Sequence, residues 1–268
     1  MKLYVKAFSS YRSDEEDIDV KKELKSRYKL DTRRQDTFIH LAILGAQRLR
    51  EQSEIQEENE LFLTSGIGNV DVIQRTNMAV VENKEFIKPF DFINMLGNTT
   101  SYYVANSLGV KGKNIFDISD NFTVINTLIL IYASLMHSKN EALFGSVDLA
   151  SEPQEVLKRV LGVDESLELL SSVNYQKLSI DATDALAELE FDTAYYTKEE
   201  IVAQIAAAAD LQIYTSMRCS ELEGERDEKF FETDASYAIN RAIKEQRSTL
   251  YIDSFNGKYK TLKVSIMR

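Results

Sequence analysis

The sequence predicts an α/β protein with largely buried sheets. Short apolar runs of strand length alternate with stretches of helical periodicity, and the C-terminal half reads β-α-β-α-β-β. Strands that alternate with helices are covered on both faces. Over 268 residues, 44% are hydrophobic and 28% charged, the balance of a packed protein rather than a disordered or fibrous one. At roughly 150 residues per domain the length allows one large domain or two small ones.

Residues 1–8 alternate polar and apolar as a strand does. The charge-dense segment 12–36 reads as a solvated loop or exposed helix. Over 35–50, Phe38, Leu41, Ala42 and Leu49 recur at helical spacing, with arginines in the last turn where the helix dipole favours them. A buried strand is expected at 60–65, then one helix over 92–108 carrying the small polar cluster Asn98-Thr99-Thr100-Ser101, which tolerates close approach of a neighbour. A strand at 114–118 follows. Ser119-Asp120-Asn121 supplies side chains that cap a helix N-terminus, opening the apolar helix 124–136. A strand at 142–147 closes this half. The second half gives a strand at 173–180 and a capping box, Thr197 to Glu200, opening a helix through Ala209. A strand at 211–215, a helix at 234–247, and strands at 249–255 and 259–267 joined by an Asn256-Gly257 turn complete it.

Composition excludes several functions. A formal charge of −11, from 32 Lys+Arg against 43 Asp+Glu, opposes a polyanionic partner, so no nucleic-acid binding is expected. One cysteine, Cys219, forms no internal disulfide, and two histidines do not build a Cys/His zinc site. The stretch 124–136 is too short to span about 30 Å of hydrocarbon. No signal peptide is recognisable, so a cytoplasmic protein is expected. The two prolines, Pro89 and Pro153, leave no linker to mark a domain boundary.

Few motifs carry chemistry by themselves. Thr64-Ser65-Gly66-Ile67-Gly68-Asn69 follows a strand, but the third glycine of a dinucleotide fingerprint and the Gly-Lys-Ser/Thr of a P-loop are both missing. His40 and His137 sit on helices without a partner at ligand or triad spacing. Cys219 has Arg218 on one side and Glu221, Glu223 and Glu225 on the other, and acidic neighbours raise a thiol pKa. The strand-to-helix junction at Asp120-Asn121 is where free N–H groups acidify a thiol or hold an oxyanion, and the residue there is an amide. An Asn at that place is also an ordinary N-cap.

Read in order, Pro89, Gly97-Asn98-Thr99-Thr100-Ser101, Val104-Ala105-Asn106-Ser107-Leu108-Gly109 and Lys111-Gly112-Lys113-Asn114 resemble the N-terminal half of the β-ketoacyl synthases, the condensing enzymes of fatty-acid and polyketide synthesis. The 34–49 helix is similar to the family's first helix. Phe62 to Gly68 resembles its strand and Gly-x-Gly turn, and Leu143-Phe144-Gly145-Ser146-Val147-Asp148 its Ala-Gly-Gly-x-Asp strand. The resemblance covers residues 34–151 and implies a thiolase-like, layered α-β-α-β-α architecture. An N-terminal ketosynthase-like half at 1–151 would be followed by a shortened half at 152–268, lacking one βα unit.

Counted from Pro89, Asn98 and Gly112, the family's nucleophilic cysteine falls on Asn121. An amide forms no acyl thioester. Both active-site histidines lack a counterpart, because His40 and His137 precede the second half. The resemblance thus implies a pseudoenzyme like the chain-length factors of type II polyketide and aryl-polyene systems. Such a subunit pairs with an active β-ketoacyl synthase as a heterodimer, shapes the acyl or polyene tunnel, and meets acyl carrier protein through the complex. No cofactor and no metal are implied. The strand at 114–119 would be the interface edge, and an unpaired edge is an association site on physical grounds too. Candidate tunnel or interface residues are Met95, Asn98, Asn114, Phe116, Ile118, Phe122 and Ile125. Two alternatives stand beside this reading. One is an acyltransferase or hydrolase using Asn121 as oxyanion donor and Cys219; the other is a homodimeric scaffold for acyl carrier protein.

Overall fold

The computed structural model describes residues 1–119 and 121–267. The N-terminal half builds strands β1 (Lys2–Arg12), β2 (Glu60–Ser65), β3 (Asn114–Ile118), β4 (Ala142–Asp148) and β5 (Ser172–Ser179). They lie in the order β3-β2-β4-β5-β1. β2 pairs parallel with β3 and β4, while β5 runs antiparallel to both β4 and β1. β5 belongs to this sheet although it lies beyond residue 151, where the sequence-based boundary falls.

The C-terminal half supplies β6 (Ala187–Phe191), β7 (Gln212–Thr215), β8 (Thr249–Phe255) and β9 (Lys258–Ile266), ordered β6-β9-β8-β7. β9 is antiparallel to β6 and β8, and β7 is parallel to β8. This repeats the first order with one strand fewer: β6 answers β1, β9 answers β5, β8 answers β4 and β7 answers β2. No strand among the described residues answers β3. In its place Glu225 alone bridges β7, accepting from Thr215 N at 2.8 Å and donating to Ile213 O at 2.9 Å. One βα unit is thus absent from the second repeat, as expected.

The halves join where Lys2–Val5 of β1 pairs antiparallel with β6, giving nine strands in one continuous sheet among the described residues. A bulge between Val5 and Ala7 turns the strand over. Before it Leu3 and Val5 face the core between the halves; after it Ala7 and Tyr11 face the outer layer.

Helices complete five layers. The outer layer of the first half holds α1 (Val20–Ser26), α2 (Thr37–Gln52) and α5 (Gly97–Leu108), packed on β1, β2, β4 and β5. The middle layer holds α6 (Thr123–Ser138) and α9 (Asp234–Glu245), whose apolar faces meet side chains of both half-sheets. α8 (Lys198–Ala207) covers β8 and β9 from outside through Ile201. Helices α3 (Val70–Asn77) and α4 (Pro89–Asn94), with a π-helical turn at Met78–Glu82 between them, and α7 (Gln154–Leu161) fill the connections.

Three expectations need correction. The single helix over 92–108 is two, α4 and α5, broken at Met95 and Leu96, because Leu96 is extended and Gly97 starts a new helix. Close approach demands that glycine: a methyl group on Gly97 would lie 2.6 Å from Phe116 Cδ1 of β3. The capping expected from Ser119 and Asn121 does not occur either. Phe122 precedes the first turn of α6 in a left-handed conformation, φ 47°, and among the described residues no side chain caps it. Asp120 lies outside the described residues. Finally, β6 fell in no predicted element, since its Ala187-Glu188-Leu189-Glu190-Phe191 alternation is short and flanked by acidic residues.

Candidate functional site

Parallel β2, β3 and β4 direct their carboxyl ends to one side of the sheet, where sites form in such folds. α6 starts there, directly after β3, and α9 starts against it. Their first turns meet: the Thr123 hydroxyl donates to Glu232 Oε1 at 3.3 Å, and also to Ser119 O. The Asn121 carbonyl is held by the Ser119 hydroxyl at 3.0 Å and Asn126 Nδ2 at 3.2 Å.

The head of α9 is a buried carboxylate cluster. Asp148, ending β4, accepts from Thr233 N and Thr233 Oγ1, each at 2.8 Å, and from Gly66 N at 3.3 Å. Arg218 Nη1 donates to Glu232 Oε1 at 2.8 Å, and Nη2 lies 2.7 Å from Oε2. Tyr251 donates to Asp234 Oδ1 at 2.5 Å, and Ser254 N to Asp253 Oδ1 at 2.8 Å. Burial pushes all four carboxyls above their ordinary range. Arg218 pulls Glu232 back only in part, and the neighbouring Asp253 raises both Glu232 and Asp234 further. Arg218 also stacks over Phe230 and Phe255, closing the cluster beneath the β8–β9 turn.

The other side of the α6 head is cationic. The Phe122 ring packs on Tyr195 with centroids 5.6 Å apart. Lys260 Nζ and Lys258 Nζ lie 4.8 and 5.2 Å from the Tyr195 centroid. Burial lowers the Lys260 pKa.

The residues singled out in the sequence fall into two groups. Met95, Asn98, Asn114, Phe116 and Ile118 gather on the outer face of the free β3 edge and the α4–α5 corner, where Gly97 seats Phe116 and Gly68 lies beneath Ile118. Ile125 lies on the opposite side of the sheet, in the middle layer, and Phe122, just before α6, packs on Tyr195. Cys219 is away from both, in the core beneath α8, where burial pushes its thiol up to about 12. His40 is buried with Nε2 3.2 Å from Thr32 O, and burial lowers its pKa. Among the described residues no cluster of His, Cys, Asp and Glu could hold a metal ion, and no helix is long and apolar enough to cross a membrane.

Sequence reasoning missed Arg218, Glu232, Asp234, Tyr195 and Lys260. Asp148 was visible as the end of the Leu143-to-Asp148 strand. Asp234 and Lys260 fall inside the predicted helix 234–247 and strand 259–267, and Arg218, Glu232 and Tyr195 in segments without periodicity; only tertiary packing places them at the two helix heads. The Asn121-Phe122-Thr123 junction offers an amide, a ring and a hydroxyl, none of which supports thioester chemistry.

The middle helices, enclosed by two half-sheets and outer helices with first turns converging at the strand ends, form the thiolase-like fold of ketosynthases and chain length factors. The chain is similar to the ishigamide ketosynthase/chain length factor, with TM-score 0.72 and 11% identity covering 100% of both chains. It is similar to a ketosynthase in complex with its chain length factor from Xenorhabdus doucetiae, with TM-score 0.59 and 10% identity over 98% of this chain and 99% of that one. A β-ketoacyl synthase from Burkholderia phymatum matches with TM-score 0.63 and 11% identity over 100% of both chains. No family model and no curated protein matches the sequence.

Proposed function

We propose that this chain is a non-catalytic subunit of the chain-length-factor type. It pairs through the free edge of β3 with an active β-ketoacyl synthase and shapes the acyl or polyene chain tunnel of a type II polyketide or fatty-acid-like pathway, with acyl carrier protein docking on the complex. The observation that carries the reading is Asn121: within a retained ketosynthase-like frame it stands at the head of α6, where the resemblance puts the nucleophile. Two structural neighbours support the pairing by analogy of fold, a ketosynthase/chain length factor and a ketosynthase in complex with its chain length factor. A third is a type II acyl-carrier protein in complex with its ketosynthase. Burial of Cys219 weighs against the acyltransferase or hydrolase alternative, because a thiol pushed up to about 12 is protonated at neutral pH.

The test is co-expression of the tagged chain with a ketosynthase encoded beside it, followed by native mass spectrometry. A one-to-one complex is expected. A stable monomer or self-dimer that ignores the synthase overturns the reading.

A further inference from the structure

A cavity of about 570 Å³, lined from α1, α2, α3 and α4, opens beside the start of α2. That volume suits a small molecule. Asn94 and Gln35 line it, and among the described residues no donor reaches Asn94 Oδ1 or Gln35 Oε1, although both atoms are buried. Asn94 itself is 4% exposed. Its amide orientation is fixed, because Asn94 Nδ2 donates to Arg34 O at 3.1 Å. Buried acceptors left without a donor cost free energy.

A carboxylate stands beside them. Asn69 Nδ2 bridges Asp36 Oδ2 at 2.6 Å and Asn94 O at 3.0 Å, which holds Asp36 next to Asn94 in the lining of the same cavity. Asp36 Oδ1 accepts from Ile39 N at 3.0 Å, yet burial keeps the carboxyl above its ordinary range. Among the described residues no cation pairs with it. Arg75, whose field reaches Asp36, is held instead by Asp91 at 2.8 Å and Asp71 at 3.4 Å. Lys21 and Arg34 in the lining are exposed, and Arg34 lies over the Phe90 ring, 4.8 Å from its centroid.

The geometry points to a binding site for a primary ammonium group carried on a short apolar body. Three acceptors, Asn94 Oδ1, Gln35 Oε1 and the Asp36 carboxylate, match the three N–H donors of an ammonium group. Its charge supplies the partner that Asp36 lacks. Val20, Phe90 and Leu149 of the lining take the apolar body. None of these residues lies on β3, so the isolated chain tests the site whether or not it pairs with a synthase.

The experiment is NMR titration of the ¹⁵N-labelled chain at neutral pH with pentylamine, norleucine and, as the uncharged control, pentanol. The Gln35 side-chain amide resonance is assigned by its loss in Gln35→Met. It is expected to move with pentylamine or norleucine and to ignore pentanol. Tighter binding of pentylamine identifies a simple amine, and tighter binding of norleucine an amino acid whose carboxylate meets Arg34. Asp36→Asn, which keeps a side chain able to cap α2, is expected to weaken binding at least about tenfold. Gln35→Met, which removes one neutral acceptor, should weaken it about threefold and carries the comparison alone if Asp36→Asn does not fold. A folded wild-type chain whose Gln35 amide ignores both amines, or answers pentanol equally, overturns the proposal.

Discussion

The first turns of α6 and α9 occupy equivalent places in the two half-repeats, yet their chemistry is opposite. α9 opens among Asp148, Glu232, Asp234 and Asp253, held by Arg218, whereas α6 opens at Phe122, whose ring packs on Tyr195 under two lysines. A helix N-terminus favours the acidic arrangement, but in the buried cluster desolvation outweighs it and lifts every carboxyl. The difference teaches that the frame and the chemistry within it are separable. The α9 head is tied to β2, β4 and α6 by hydrogen bonds, so its polar groups lock the halves together.

The largest effect expected from breaking this contrast comes from Arg218→Met. It leaves Glu232, with a side chain 2% exposed, without its cation, and losing one partner of a buried pair costs about 3 kcal/mol. Urea unfolding measures it. Adding Glu232→Gln should recover most of the loss, and a double variant no more stable than the single would show that Arg218 acts by stacking on Phe230 and Phe255 instead.

Next in size is the dependence on pH. Burial raises the folded-state pKa of Asp234 and Asp253, so between the ordinary carboxylate range near about 4 and those raised values the folded chain holds more protons than the unfolded one. Stability is therefore highest on the acidic side of that window and falls as pH rises through it, by at most about 1.4 kcal/mol per unit for each group. Urea midpoints at several pH values check the sign. Asp253→Asn should flatten the slope, and an unchanged slope would remove Asp253 as its source.

Much of the frame was legible in the residues. Phe38 to Leu49 announced α2 through its period, Thr197 and Glu200 form the capping box expected at α8, and Asn256-Gly257 makes the expected turn. Apolar periodicity reports burial, and these elements owe their form to it. The α4–α5 break was not legible, because it answers to Phe116, distant in sequence. Nor was the bulge in β1, since the alternation of Leu3, Val5, Ala7 and Tyr11 continues unbroken while the face they occupy changes. Of the site, Asn121 and Phe122 could be found from the resemblance; Arg218, Glu232 and Lys260 could not, because tertiary contact alone assembles them.

The outer layers differ as the heads do, and a smaller effect measures it. Under α2, Tyr175 occupies a slot between Gly45 and Gly145, its hydroxyl donating to Ala42 O at 3.0 Å. A methyl group on Gly145 would fall 2.6 Å from Leu63 Cδ2 and closer still to the Tyr175 ring. Gly145→Ala should cost about 2 kcal/mol by overpacking, read from thermal unfolding, whereas Val202→Ala on the exposed face of α8 should cost less than about 0.5 kcal/mol. Equal losses would mean that the two outer layers are packed alike.

The smallest effect on the folded chain separates the two ends of the sheet. β7 ends it under the Glu225 bridge, but β3 ends it open, with Ile118 51% exposed. Open edges are where natural proteins place a charge to prevent pairing. Ile118→Lys should therefore change stability by less than about 0.5 kcal/mol while abolishing association with the proposed synthase partner, and Ile213→Lys beside the covered edge should leave association intact. Sedimentation of each variant with the synthase decides the matter. If Ile118→Lys still assembles, the partner does not use β3; if both variants fail, the covered edge is not protected and the distinction between the two ends falls.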